Sequence, residues 1–141
     1  MFTIESAIEL AAQKHAEQKR LNGEPYIYHL LRVMSKMKTE EERIIAVLHD
    51  IIEDTDVTVD DLLKMGCPQR VYNAVGWLTK KQHDSYERYV EVLSVNSLSR
   101  AVKIADLEDN LNVADLGHAL TDRDSKRITK YIKALNFLRS I

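Results

Sequence analysis

Apolar residues recur at helical intervals along most of the chain, and the alternation typical of strands is scarce. The first helix is predicted to follow Thr3, a candidate N-cap, and to end near Asn22-Gly23, because glycine can adopt the left-handed conformation that terminates helices. Glu24-Pro25-Tyr26 predicts an extended turn, since the residue before a proline is restricted to extended conformations. This turn leads into a second helix that carries His29.

Capping residues mark the starts of most later helices. Thr39-Glu40-Glu41-Glu42 has the form of a capping box and begins a helix whose apolar positions continue to Ile52, with His49 and Asp50 inside it. A further helix is predicted over residues 98–112, where Asp106 and Asn110 lie one turn apart. The same logic predicts other helix starts at Thr58 with Asp61, at Pro68, at Asp84 with Glu87 and at Thr121-Asp122-Arg123-Asp124.

These elements predict an all-α protein, a compact bundle of about six to eight helices. The length of 141 residues suits a single domain over residues 1–141. The core is expected to include Trp77 and the apolar stripe of the last helix, which consists of Ile128, Ile132, Leu135 and Leu138.

Composition and charge narrow the possible partners. The formal net charge of −2 gives no general attraction to nucleic acid or to membranes, so any phosphate recognition must come from a local cluster of basic residues. No secretory leader and no apolar stretch of membrane-spanning length is apparent, and a cytoplasmic location is expected. The single cysteine, Cys67, excludes an internal disulfide framework and is expected to be structural. The pattern does not specify an oligomeric state.

The chemistry of the chain is concentrated in His29, the pair His49-Asp50, and Asp106. Two imidazoles and two carboxylates suit a divalent ion of intermediate hardness. In the segment Val47 to Thr55, ionisable side chains are set among apolar ones. A purely structural helix has little reason to carry such ionisable side chains inward. Within that segment Glu53 and Asp54 each follow a member of the His49-Asp50 pair by four residues, so they are predicted to project from the same helical face.

These motifs resemble the HD superfamily, and in particular the hydrolase domain of the RelA/SpoT proteins. The resemblance is carried by His15 to Arg20, Gly23 to His29, Leu48 to Thr55, and Lys103 to Asp106. It implies a helical bundle that hydrolyses guanosine tetraphosphate or pentaphosphate at the 3′-diphosphate to give GDP or GTP and diphosphate, usually with Mn²⁺. A nucleotide is therefore the implied small-molecule partner.

The resemblance also implies roles for individual residues. His29, His49, Asp50 and Asp106 would be ligands of one divalent metal, and Glu53 and Asp54 would be catalytic acids or bases. Arg20 and Asn110 would contact the substrate, and Lys103, close in sequence to Asp106, would add positive charge there. His15 is assigned a structural role, and His83 and His118 are expected at the surface.

The chain departs from the family pattern at several positions. Glu17 and Leu21 stand where the family generally has glycine and a basic residue, and Leu107-Glu108-Asp109 replaces arginine-leucine-histidine. The acidic Glu108 and Asp109 are expected to make one edge of the pocket less favourable for polyphosphate. Two alternatives therefore remain open: an HD phosphohydrolase that acts on another nucleotide or phosphate ester, and a nucleotide-binding HD protein without turnover. The ligand set also accepts iron, cobalt or zinc.

Overall fold

Residues 1–112 and 116–141, which are the residues that this computed structural model describes, form nine helices. Eight of these have at least six residues, while α4 is a single turn, so the predicted all-α class is confirmed. Within the described ranges the only bridge of β type is an isolated pairing of Lys19 with Pro25. The helices are α1 Ile4–Lys14, α2 Tyr26–Ser35, α3 Glu40–Leu48, α4 Ile51–Asp54, α5 Val59–Lys64, α6 Gln69–Trp77, α7 Tyr86–Leu93, α8 Ser97–Asn110 and α9 Asp122–Arg139.

Most of the predicted capping residues begin helices in the structure. Complete capping boxes start α1, α3, α5 and α9, at Thr3, Thr39, Thr58 and Thr121. The predicted start at Asp84 is wrong by one position. Ser85 caps α7, because its hydroxyl accepts the backbone N–H of Arg88 at 3.1 Å.

The first helix is shorter than predicted and ends at Lys14 rather than near Gly23. The following residues form a turn instead. In this turn the N–H of Arg20 donates to the carbonyl of Glu24 at 2.9 Å, and the N–H of Tyr26 donates to the carbonyl of Gln18 at 3.0 Å. Gly23 has the expected left-handed conformation, with φ of 87°. These hydrogen bonds satisfy the backbone without a helix, and the turn brings Arg20 beside the start of α2.

The helix predicted to contain His49 and Asp50 is interrupted at these two residues. α3 ends at Leu48, and α4 begins at Ile51. Asp50 has φ of −104° and ψ of 0°, outside the helical range, and the imidazole Nδ1 of His49 donates to the carbonyl of Ala46 at 2.6 Å. Glu53 and Asp54 therefore belong to a separate turn of helix, and the prediction of one continuous helix is wrong.

The core surrounds α3, which packs against α1, α2, α6 and α8. Residues Ile45 to Leu48 of this helix are fully buried. Two core predictions are wrong: Trp77, at the end of α6, is 47% exposed and Ile132, in α9, is 45% exposed. α9 lies against α8 and α7 through a face centred on Ala134, Leu135 and Leu138, and Ile132 lies outside that face.

No helix in the described parts of the chain combines the length and the apolar character that a membrane span requires.

Candidate active site

The predicted metal-binding residues come from separate helices and meet in one buried cluster. His29 lies on α2, His49 and Asp50 lie at the junction of α3 and α4, and Asp106 lies on α8. Both imidazoles and Asp106 are at most 4% exposed. Buried ionisable groups are expensive unless they are paired or bind a metal, so this cluster needs a compensating partner.

The donor atoms of the cluster face a common space. His49 Nε2 is 3.1 Å from Asp50 Oδ2 and 3.2 Å from Asp106 Oδ1, and His29 Nε2 is 3.0 Å from the same Asp106 oxygen. The donors offered by His29, His49 and Asp50 all lie within 4.8 Å of one another. Imidazole nitrogens with carboxylate oxygens suit a divalent ion, so the donor set fits one.

The other ring nitrogens are held by hydrogen bonds that turn Nε2 toward the cluster. His49 Nδ1 donates to the carbonyl of Ala46. His29 Nδ1 is 2.6 Å from Asp109 Oδ2. Such outer contacts fix the tautomer and orientation of metal-binding histidines.

The charges of the cluster favour a bound cation. Burial opposes a charge on His49, but Asp50 and Asp106 outweigh it and raise the pKa of His49 well above its ordinary value. Although burial opposes ionisation of Asp50, His49 and the hydroxyl of Tyr26 hold the pKa of Asp50 at about 2. A divalent cation bound here would take the place of the proton on His49.

Glu53 and Asp54 lie on α4 and line a cavity of about 280 Å³ together with Asp50 and Asp106. The carboxylate of Glu53 accepts the backbone N–H of Lys80 at 2.7 Å, which fixes its position at the cavity wall. Partial desolvation, with the neighbouring carboxylates of Asp50 and Glu53, raises the pKa of Asp54 to about 6. A carboxyl group with that pKa can both accept and donate a proton near neutral pH. We call this space the metal-side cavity.

A second cavity, of about 290 Å³, adjoins the first and shares Tyr26, Asn110 and Tyr131 with it. Its basic side chains are those of Lys19, Arg20 and Arg127. Among the described residues that line it there is no Asp or Glu. We call it the basic cavity, and its position beside the metal-side cavity lets one extended anionic ligand enter both.

Arg20 and Asn110 connect the two cavities. Arg20 Nη2 donates to Asn110 Oδ1 at 3.2 Å, and Asn110 Nδ2 donates to Asp106 Oδ1 at 3.2 Å. Arg20 also lies 3.7 Å from carboxylate oxygens of Glu24 and Asp109. These longer contacts leave guanidinium N–H groups available to a ligand.

Lys103 lines the metal-side cavity, but its ammonium group already has a partner. The residue is 9% exposed, and its Nζ donates to Asp106 Oδ2 at 2.9 Å. It also lies over the rings of Tyr86 and Tyr89, at 5.8 Å and 5.3 Å from their centroids. Burial disfavours its charge, yet Asp106 raises the pKa of Lys103 well above its ordinary value. A substrate contact by Lys103 remains a prediction.

The acidic Glu108 and Asp109 do not line either cavity. Glu108 pairs with Arg139 at 2.7 Å, and Asp109 is buried against His29 and Arg32. Both carboxylates are paired with basic side chains, but Asp109 Oδ2 also lies 3.7 Å from Nη2 of Arg20, which lines the basic cavity. The expectation that they make the pocket less favourable for polyphosphate stays a prediction. Of the other departures, the exposed Leu21, which stands where the family pattern has a basic residue, lines the basic cavity.

Sequence reasoning missed the contribution of α9 to the cavities. Arg127 and Tyr131 line the basic cavity, and Lys130 lines the metal-side cavity. Arg127 and Tyr131 are four residues apart, so the sequence did carry a signal that they share a helical face. Lys80, Tyr86 and Tyr89 were missed as well. A larger cavity of about 490 Å³ between α7 and α9 contains none of the four predicted ligands.

The remaining residues singled out in the sequence are not in the cluster. His15 is buried, with its Nδ1 2.8 Å from Gln18 Oε1, while His83 and His118 are exposed. Burial raises the pKa of the Cys67 thiol to about 11, so this thiol is a poor nucleophile.

No family model matches the chain. The chain is 35% identical over 120 residues to a guanosine-3′,5′-bis(diphosphate) 3′-pyrophosphohydrolase of Aquifex aeolicus. The alignment covers 77% of this chain and 17% of that protein. The chain is also 32% identical over 131 residues to a probable enzyme of the same name from Mycoplasma pneumoniae. That alignment covers 86% of this chain and 18% of the relative. The chain thus spans less than a fifth of these relatives.

The fold is also found in a solved structure, described as a metazoan ortholog of SpoT that hydrolyzes ppGpp and plays a role in starvation responses. The two superpose with a TM-score of 0.77 at 24% identity, over 96% of this chain and 85% of that one. The structural likeness establishes the shared all-α fold, and the sequence relatives carry the family name. Together they confirm the resemblance seen in the motifs and support the identification of this chain as an HD domain of the RelA/SpoT type.

Proposed function

We propose that this chain is a metal-dependent phosphohydrolase of guanosine tetraphosphate and pentaphosphate. Water would attack the 3′-diphosphate, the bond between the ribose 3′-oxygen and phosphorus would break, and GDP or GTP and diphosphate would leave. The observation that carries this proposal is that the metal-side cavity, lined by Asp50 and Asp106, adjoins the basic cavity and shares Tyr26, Asn110 and Tyr131 with it. A substrate with a phosphate chain at one end and a nucleoside at the other fits such a pair of cavities.

One divalent metal ion would be held by His29, His49, Asp50 and Asp106, with Mn²⁺ as the proposed ion. When bound, such an ion lowers the pKa of water and polarises a phosphoryl oxygen. The support for this ligand set is the convergence of Nε2 and carboxylate oxygens within a buried space. Tyr26 supports Asp50 through a hydrogen bond from its hydroxyl.

Glu53 and Asp54 would move protons during the reaction. The carboxylate of Glu53, fixed by the backbone of Lys80, would orient the attacking water and accept its proton. Asp54, whose pKa is about 6, would give its own proton to the leaving oxygen, and exchange of protons with solvent would then restore both carboxyl groups. Both side chains line the same cavity as Asp50 and Asp106, two of the four proposed ligands, and this supports a role for them beside the metal.

The nucleoside end of the substrate would lie in the basic cavity. Arg20 would stack on the base or grip a phosphate with its planar guanidinium, and Asn110 would contact the substrate between the cavities. Lys103 would add positive charge at the metal side. We also propose a cytoplasmic location and a single domain over residues 1–141.

The test is a hydrolysis screen in the presence of Mn²⁺, in which guanosine tetraphosphate is compared with ordinary nucleotides. Phosphate and diphosphate are measured separately. We expect GDP and diphosphate in equal amounts, and loss of both in a His49→Ala/Asp50→Ala variant. Release of phosphate from simple nucleotides, without cleavage of guanosine tetraphosphate, would instead favour an HD phosphohydrolase of other specificity. Binding without any turnover would favour a nucleotide-binding protein.

A further inference from the structure

Asp109 is a buried carboxylate on α8 that the proposed mechanism does not use. It is 8% exposed and follows the proposed ligand Asp106 by three residues, on the neighbouring position of the same helix face. In the family pattern this position holds a histidine. The carboxylate is therefore a feature of this chain that requires its own explanation.

The carboxylate of Asp109 is gripped by two side chains from α2. Its Oδ2 lies 2.6 Å from Nδ1 of His29, and its Oδ1 accepts from Nε of Arg32 at 2.7 Å. Arg32 Nη2 adds a second contact to Oδ2 at 3.1 Å. His29 and Arg32 lie one helical turn apart, so both reach the same carboxylate across the α2–α8 contact.

This contact determines which nitrogen of His29 carries hydrogen. An ionised carboxylate can only accept hydrogen bonds, so Nδ1 of His29 must be the donor. With a metal ion bound, the ring would keep this one hydrogen and present the lone pair of Nε2, the atom that lies 3.0 Å from Asp106 Oδ1 and belongs to the donor cluster. A metal ion binds that lone pair, and a ring held at Nδ1 cannot turn away from it.

Arg32 is itself held in place. Its Nη2 donates to Glu24 Oε1 at 2.5 Å, while its side chain remains 43% exposed. Glu24 thus holds Arg32, Arg32 holds Asp109, and Asp109 holds His29 at the proposed metal site. Arg32 provides the positive charge that makes a buried Asp109 carboxylate tolerable.

We propose that Asp109 is a positioning residue for the metal site, which fixes the tautomer and direction of His29 and is itself held by Arg32. This inference rests on the proposed metal site but not on the identity of the substrate. It assigns to Asp109 the function of a carboxylate–histidine–metal arrangement, in place of the histidine of the family pattern.

The test compares Mn²⁺ binding by isothermal titration calorimetry in wild type, Asp109→Asn and Glu108→Gln. Asparagine keeps the size of the side chain but can present its NH₂ group to Nδ1. We expect Asp109→Asn to weaken Mn²⁺ binding by about 10- to 100-fold, the usual scale for such outer contacts. Glu108→Gln removes the same charge from the adjacent position, where Glu108 pairs with Arg139, and should leave Mn²⁺ affinity unchanged.

A second measurement reads the His29 ring directly. ¹⁵N-edited NMR of wild type saturated with diamagnetic Zn²⁺, which the same ligand set accepts, should show hydrogen on Nδ1 of His29. Hydrogen on Nε2, equal losses of affinity in the two variants, or no loss in Asp109→Asn would each overturn the proposal. If Asp109→Asn does not fold, Arg32→Gln replaces it, with a weaker Mn²⁺ affinity expected and an unchanged one contradicting the proposal. Failure to hydrolyse guanosine tetraphosphate would overturn the proposed function alone, since neither measurement involves substrate.

Discussion

At the scale of single residues, the cluster depends on interrupted backbone as much as on side-chain type. His49 and Asp50 are adjacent in sequence, and in a continuous helix adjacent side chains point about 100° apart. The break after Leu48 lets both reach the same space, with His49 Nε2 3.1 Å from Asp50 Oδ2. The residue types could be predicted from the sequence. The break could not, because the apolar positions around it keep helical spacing and the contact of Asp50 with Tyr26 joins residues distant in sequence.

Removal of the adjacent pair should abolish metal binding. In His49→Ala/Asp50→Ala, half of the proposed donor set is missing, and the remaining His29 and Asp106 provide too few ligands for a divalent ion. Elemental analysis after dialysis against Mn²⁺ should show stoichiometric metal in the wild type and none in the variant. His83→Ala, at an exposed position outside the cluster, is the control and should retain metal. Stoichiometric metal in the double variant would rule out this site.

Glu53 and Asp54 should affect turnover without affecting metal content. Loss of either carboxylate removes a proton acceptor or donor, so Glu53→Gln and Asp54→Asn should lower kcat by a factor of about 10²–10⁴. Steady-state kinetics with Mn²⁺ and guanosine tetraphosphate would measure this, beside elemental analysis. Asp56→Asn is the matched control, because Asp56 is exposed and pairs with Lys14 outside the cavity. Wild-type rates in both variants would remove these residues from the mechanism.

At the scale of helices, capping chemistry was the most reliable signal. Four threonine boxes begin helices as predicted, because the contacts are local and their spacing is written in the sequence. Helix ends were less predictable. α1 ends at Lys14 because residues 15–25 satisfy their backbone groups in a turn, which involves a pairing of Lys19 with Pro25. The exposed positions of Trp77 and Ile132 likewise depend on which face of each helix meets a neighbour.

The capping box of α9 predicts a specific dependence of stability on pH. The backbone N–H of Thr121, with its hydroxyl and with Arg127, lowers the pKa of Asp124 to about 2 despite desolvation. Because the folded-state pKa lies below the unfolded value of about 3.9, ionised Asp124 stabilises the fold above that value. This contribution is lost as the pH falls toward about 2.

Urea unfolding of wild type and Asp124→Asn over a pH series would measure the contribution of ionised Asp124 to the free energy of unfolding. The difference in free energy of unfolding should be constant near neutral pH and should shrink under acid conditions. Asp122→Asn is the control, since Asp122 is exposed in the same helical turn but is not the capping residue. A difference that does not change with pH, or an equal loss in the control, would contradict the capping role.

At the scale of the whole molecule, a chain with a net charge of −2 places three basic side chains around one cavity, beside the cavity that Asp50 and Asp106 line. The basic cavity joins Lys19 and Arg20, from the turn after α1, with Arg127 from α9. The composition indicated that phosphate recognition would require such a local cluster. Its members could not be named in full from the sequence, because residues 20 and 127 are brought together only by the packing of α9 on α8.

A substitution of Arg20 would test whether the basic cavity binds substrate, since Arg20 links this cavity to Asn110 and hence to Asp106. Arg20→Ala should lower kcat/KM for guanosine tetraphosphate by about 10- to 100-fold, the scale of a hydrogen bond to a charged group, while the bound metal content stays at the wild-type value. Arg139→Ala is the matched control, because Arg139 is exposed and pairs with Glu108 away from both cavities. Equal kinetics in wild type and Arg20→Ala would exclude Arg20 from substrate binding. A parallel loss of metal would instead make it a structural support of the cluster, through Asn110 and Asp109.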